Sequence, residues 1–108
     1  MKIKRMNKFL IWLVPSFNGI SLSPFGIYVK LKALNNPIII NHEKIHWKQQ
    51  IEMLVIFFYL WYIIEWIIKL FKYKDAYHNI SFERESYNNE KNFNYISKRK
   101  HYAWFRYV

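Results

Sequence analysis

His42, Glu43 and His46 are the residues whose types and spacing can do chemistry together. Residues four apart share one face of a helix, so both imidazoles of His42-Glu43-Lys44-Ile45-His46 can point at one metal ion. Glu43, next to the first histidine, can reach a water held by that ion and take its proton. Nitrogen and oxygen donors favour a single Zn2+ ion. A third ligand is needed, and three carboxylates compete for the place. Glu52 lies ten residues after His42, but Gln49 and Gln50 continue the helix and turn Glu52 away, so a solvated or paired role is expected for it. Glu65 sits within an apolar run, where a carboxylate must be paired, protonated or metal-bound. Glu83 heads a later segment, Glu83-Arg84-Glu85-Ser86-Tyr87.

The elements that must position these groups fit one small domain spanning residues 1–108. Aromatic residues make up 21% of the chain, more than a modest core readily hides, so a partner or a lipid interface is expected to cover the excess. The net charge of +10 favours an anionic partner, and a membrane surface suits the basic, aromatic tail from Lys98 to Val108. Nucleic acid is the less favoured partner, because no binding motif accompanies the charge. The chain contains no cysteine, which removes disulfides and Cys-liganded metal sites. The basic opening followed by Phe9–Val14 resembles a signal-peptide start. Pro15 ends it without a small-residue cleavage site, so it is read as a retained segment, either on a membrane surface or in the core.

Alternation from Phe25 to Leu31, with Ile20 and Leu22 before the Ser23-Pro24 break, predicts a short N-terminal β-hairpin. Asn35-Asn36-Pro37 is a turn, and Ile38-Ile39-Ile40 is either a short strand or the entry into the next helix. Asn41 is the expected N-cap of a helix beginning at His42. The apolar run of about residues 53–71 is an apolar helix or a helical hairpin, with Trp61, Tyr62 and Trp66 at headgroup depth if it meets a membrane. A polar connector leads to a second helix that opens near Ser81 and runs past Glu90, and the tail forms a terminal helix. The expected class is α+β, mostly α.

Geometry adds a condition. On an unbroken helix Glu65 would stand roughly 28 Å from His46. The end of that helix would be roughly 38 Å away, which a connector reaching at most about 40 Å could barely recover for Glu83. Either carboxylate can arrive only if the helix bends or breaks, and the expected place is between Val55 and Tyr62.

Taken together, His42-Glu43-x-x-His46-x-x-Gln49, a hydrophobic helical insert and Phe82-Glu83-x-x-Ser86-Tyr87 resemble the gluzincin zinc metallopeptidases, most closely their minimal or membrane-associated members. The resemblance covers about residues 38–92, and its specific parts are the two short motifs. It implies His42, His46 and Glu83 as zinc ligands, with Glu65 as the rival, and Glu43 as general base for hydrolysis of a peptide or protein substrate. Ser86 stands where the family has Ala. Tyr87 stands where many members have Asp, which opens the question of what supports the histidines. Gln49, Tyr87 and His78 are candidates beside the ligands or against substrate, and Tyr87, His78 or a tail tyrosine for stabilising an oxyanion. An exposed strand among residues 25–32 could align an extended peptide. The expected location is at a membrane, or at its cytoplasmic face. The competing reading is a non-catalytic membrane-associated protein whose histidines bind metal without turnover or serve only structure.

Overall fold

A computed structural model describes residues 3–108; Met1 and Lys2, the start of the basic opening, lie outside the described residues. The architecture is α+β and mostly helical. Its sheet contains β1 (Ile3–Arg5), β2 (Gly19–Leu22) and β3 (Gly26–Val29), in the order β1-β3-β2. The expected hairpin is β2 and β3, antiparallel with Ser21 opposite Ile27. β1 adds parallel to β3, with Ile3 opposite Ile27. Sequence periodicity missed β1, because a three-residue strand shows no alternation. Between β1 and β2 lies α1 (Lys8–Leu13), capped by Asn7, whose side chain accepts from Leu10 N–H. The opening is thus built into the sheet through Met6 and Leu10, both buried, while Phe9, Ile11, Trp12 and Leu13 remain exposed.

The central element is α2 (Pro37–Glu52). It starts five residues earlier than expected. Asn36 caps it, its side chain accepting from Ile38 and Ile39 N–H, and Pro37 takes the first turn, where no N–H is missed. Asn41 is therefore an interior residue of α2, and the three isoleucines are the entry into the helix. Ile39 and Trp47 pack on Ile27, Val29 and Ala33 to form one core between α2 and the sheet. Burying an apolar side chain of this size contributes about 1.5–3 kcal/mol.

α2 ends in a Schellman arrangement: Val55 N–H donates to Gln50 O at 2.7 Å and Leu54 N–H to Ile51 O at 3.1 Å. Leu54 and Val55 both have positive φ, 53° and 62°, where glycine is the usual occupant. The axis turns by 112° into α3 (Ile56–Leu70). The required reversal thus falls at the very start of the expected interval. Among the described residues no single helix is long and apolar enough to cross a membrane.

α4 (Ser81–Asn89) then lies against α2, ending just before Glu90 rather than running past it. Phe58 of α3, Ile80 just before α4, Phe82 of α4 and Trp104 of the tail form the second core cluster. The tail is not one helix. It comprises the single turn α5 (Tyr95–Lys98) and a 3-10 segment, Ala103–Tyr107, packed on α4. Arg99 inserts between Glu52 and Glu85, bonding both carboxylates, so Glu52 is paired and faces away from the histidines.

Candidate metal centre

His42 and His46 are buried one turn apart on α2, and α4 delivers Glu83 to them. The Nε2 atoms of the two histidines are 3.1 Å apart, and Glu83 Oε1 lies 3.0 Å from His46 Nε2 and 3.3 Å from His42 Nε2. A tetrahedral ion with bonds of about 2.0–2.1 Å spaces its ligand atoms about 3.3 Å apart, so the three donors fit one small divalent cation. This buried group can hold a metal ion.

His46 and Glu83 are each fixed through their other polar atom. Gln49 Nε2 donates to Phe82 O at 3.1 Å and to Glu85 Oε1 at 3.0 Å, which turns its Oε1 toward His46 Nδ1 at 2.8 Å. His46 Nδ1–H therefore donates to Gln49, and Nε2 faces the metal position. His42 Nδ1 faces Glu90 Oε2 at 3.6 Å. Glu90, three residues after Tyr87, is the carboxylate nearest that nitrogen. Tyr62 OH donates to Glu83 Oε2 at 3.0 Å, leaving Oε1 for the ion. Ser86 Oγ donates to His42 O at 2.7 Å, binding α4 to α2 beside the motif. Asn41 Nδ2 donates to Glu90 O at 2.8 Å, serving the C-terminus of α4 rather than the start of α2.

Glu65 has a different task from the one sequence offered it. Its carboxylate accepts from Ser81 N–H and from Ser81 Oγ, each at 2.6 Å, and from Trp61 Nε1 at 2.8 Å, with Lys69 Nζ at 3.7 Å. α4 has no side-chain cap of its own, so Glu65 performs that function from α3. The rival ligand anchors the helix that brings Glu83 into place.

Electrostatics within the group are strongly coupled. Burial pulls the His46 imidazole down, but the Glu83 carboxylate and its hydrogen bond outweigh this and raise it to about 9. Burial pushes Glu83 up, yet His46 and His42 hold it well below the usual carboxylate range. Glu43 is raised, chiefly by burial, against the opposing pull of the histidines. Ser21 Oγ lies 3.2 Å from Glu43 Oε1, and a Cβ on Gly19 would come within 3.1 Å of Glu43 Cγ, so β2 presses directly on this carboxylate.

A cavity of about 340 Å³ opens beside the group. Glu43, His46 and Glu83 form its polar wall, and Phe17, Phe58, Tyr62 and Trp66 contribute to its apolar one. A second, more polar hollow of about 460 Å³ lies beyond Glu43, bordered by His42, Tyr77, His78 and Tyr87. Tyr87 stacks edge-on to His42 at 4.4 Å, and His78 pairs with Asp75 in solvent at the outer rim. The tail tyrosines are engaged elsewhere: Tyr95 OH donates to Glu85, Tyr102 OH to Glu52 O, and Tyr107 OH accepts from Asn89. The strand expected to be exposed, β3, is the central one. β2 is the edge strand beside the site, and the Gln50 carboxamide already occupies its Ser21 O and the Ser23 N–H just beyond it.

Sequence reasoning missed Tyr62, Tyr77, Glu90 and Gly19. Tyr62 carried a signal, because it shares one stripe of α3 with Phe58, Glu65 and Lys69. Comparison of the chain with models of known protein families, with curated proteins and with solved structures finds no match.

Proposed function

We propose that the protein is a zinc-dependent metallopeptidase, with His42, His46 and Glu83 as ligands and Glu43 as general base. The observation that carries this reading is a group of three candidate ligands with a second, non-ligating carboxylate, Glu43, facing an open cavity. Structural zinc sites use four protein ligands and are closed; catalytic ones keep three and leave a position for water or substrate. Two imidazoles with one carboxylate suit zinc better than the oxygen-only sets of magnesium or calcium.

A zinc ion bound here would supply Lewis acidity toward water and the scissile carbonyl. Glu43, raised by burial, is poised to accept the proton of the attacking water and to return it to the departing amine. Tyr62 holds Glu83 in a single orientation through Oε2. Tyr77 borders both hollows and Tyr87 the more polar one, so these phenols are the donors best placed toward a developing oxyanion. The apolar wall of the smaller cavity suits a large apolar side chain of a peptide.

The test pairs zinc analysis with turnover. Wild-type protein should bind one zinc ion per chain and cleave a peptide library. Glu43→Gln should keep the zinc and lose on the order of 10²–10⁴-fold in rate. A wild type that takes up no zinc sinks the reading, and so does an activity that survives in Glu43→Gln.

A further inference from the structure

α3 is built inside out. Its buried positions are Phe58, Glu65 and Lys69, so both of its charged residues point into the protein, and Tyr62 on the same stripe is half-buried. Its eleven exposed residues are all aliphatic or aromatic, and seven of them are isoleucine or leucine. Leu60, Ile64 and Ile67, on the side opposite that stripe, are each about half exposed, at 53%, 56% and 46%. Soluble monomers rarely leave a contiguous apolar patch beyond a few hundred Å². A whole helical face of this composition exceeds that.

The face points to lipid rather than to a second copy. Two copies meeting through it would each bring a net charge of +10, whereas an anionic headgroup layer complements that charge. Basic residues flank the two exposed apolar segments along the chain. Lys72 and Lys74 follow α3 directly, and Lys4, Arg5 and Lys8 precede the exposed Phe9, Ile11, Trp12 and Leu13 of α1; all five cations are exposed. The charged groups of α3 are paired internally, Glu65 with Ser81, Trp61 and Lys69, so neither charge has to enter lipid. At 15 residues α3 is about 22 Å long, against a hydrocarbon thickness of about 30 Å.

We propose that the outward face of α3 embeds in one leaflet of an anionic lipid bilayer and seats the protein on the membrane without crossing it. Trp66 and Phe58 belong both to this helix and to the wall of the smaller cavity, so the docked protein presents that cavity at the membrane surface. The consequence that substrate is a membrane-proximal polypeptide rests on the peptidase reading; the docking itself does not.

Flotation of the full, zinc-free chain with phosphatidylcholine vesicles, with and without a phosphatidylglycerol fraction, tests the docking. Binding should be at least tenfold stronger with the anionic lipid, and acyl chains carrying bromine should quench the tryptophan fluorescence. Leu60→Glu with Ile67→Glu should abolish flotation while the melting temperature stays within a few degrees, since these side chains face outward. Wild-type protein that fails to float, that floats without bromine quenching, or whose binding survives the double substitution overturns the proposal. A dimer that the double substitution splits, with no vesicle binding, assigns the face to a second copy instead. All readouts use zinc-free protein, so a failed peptidase assay leaves them unaffected.

Discussion

α2 and α3 follow one another across three residues and break the usual inside–outside rule in opposite ways. α2 buries Asn41, His42, Glu43, His46, Gln49 and Gln50, while α3 exposes most of its isoleucines, leucines and aromatics. The polar interior of α2 is sustained because almost every buried group has a named partner on α4 or β2, and unpaired groups there would each cost about 1–3 kcal/mol. The apolar exterior of α3, apart from Trp61 against Trp104, is left uncovered among the described residues. The difference separates two kinds of departure. Inward polarity that is fully connected marks a built site, and outward apolarity with nothing on it marks a surface awaiting something.

The sharpest way to break that comparison uses neighbours on one helix. Ile64→Ser removes an exposed apolar group and should change stability by no more than about 0.5 kcal/mol in the absence of lipid. Glu65→Ala, one residue on, removes the cap of α4 and leaves Lys69 buried without its carboxylate, and should cost about 3–5 kcal/mol. Denaturant unfolding of the two variants measures both. Equal losses would mean that the helix is not inverted as described. Glu65→Ala should also weaken zinc binding, because Glu83 lies two residues beyond the anchored Ser81.

A smaller effect is expected from the support behind a ligand. Gln49→Leu keeps volume but removes the acceptor of His46 Nδ1–H, and should lower zinc affinity about 10–100-fold. Gln49→Glu restores that acceptor but sets its second oxygen against Phe82 O and Glu85 Oε1, so it should recover only part of the affinity and lose stability. Zinc competition with a chromophoric chelator gives both numbers. Unchanged affinity in Gln49→Leu would show that the His46 ring is oriented by packing alone.

What was legible in the sequence follows the range of the interactions involved. His42, Glu43 and His46 could be read because an i, i+4 spacing is local, and Glu83 because a second short motif accompanied it. The helix break was demanded by distance but could not be located, since Leu54 and Val55 occupy positions where glycine would have announced the turn. The start of α2 was misplaced because Asn36-Pro37 and Asn41 both satisfy cap chemistry, and only packing against Glu90 O shows which asparagine does what. Glu65 was rightly read as a buried carboxylate in need of a partner. That the partner would be the first turn of another helix, sixteen residues away through a connector, carries no local signature.

The least disruptive probe of the polar interior is pH, applied to zinc-free protein. His46 titrates near 6.5 when unfolded and at about 9 when folded, so its contribution is complete below 6.5 and disappears as pH rises through 9. Glu43 acts in the same direction. Its folded value lies above 4.5, so the folded state binds its proton more readily and loses relative stability as pH rises past 4.5. Glu83 is shifted downward, so its contribution is retained above 4.5 and is lost only in strong acid. The zinc-free melting temperature should therefore fall from pH 6.5 to 9. A zinc ion bound by the group would take the place of the His46 proton, and proton competition weakens as pH rises, so protein loaded with zinc should hold or gain stability over the same interval. The gap between the two melting curves should widen with pH. A zinc-free protein that instead becomes more stable toward pH 9 would mean that His46 is not held as the protonated partner of Glu83, and the description of the polar face of α2 would have to be redrawn.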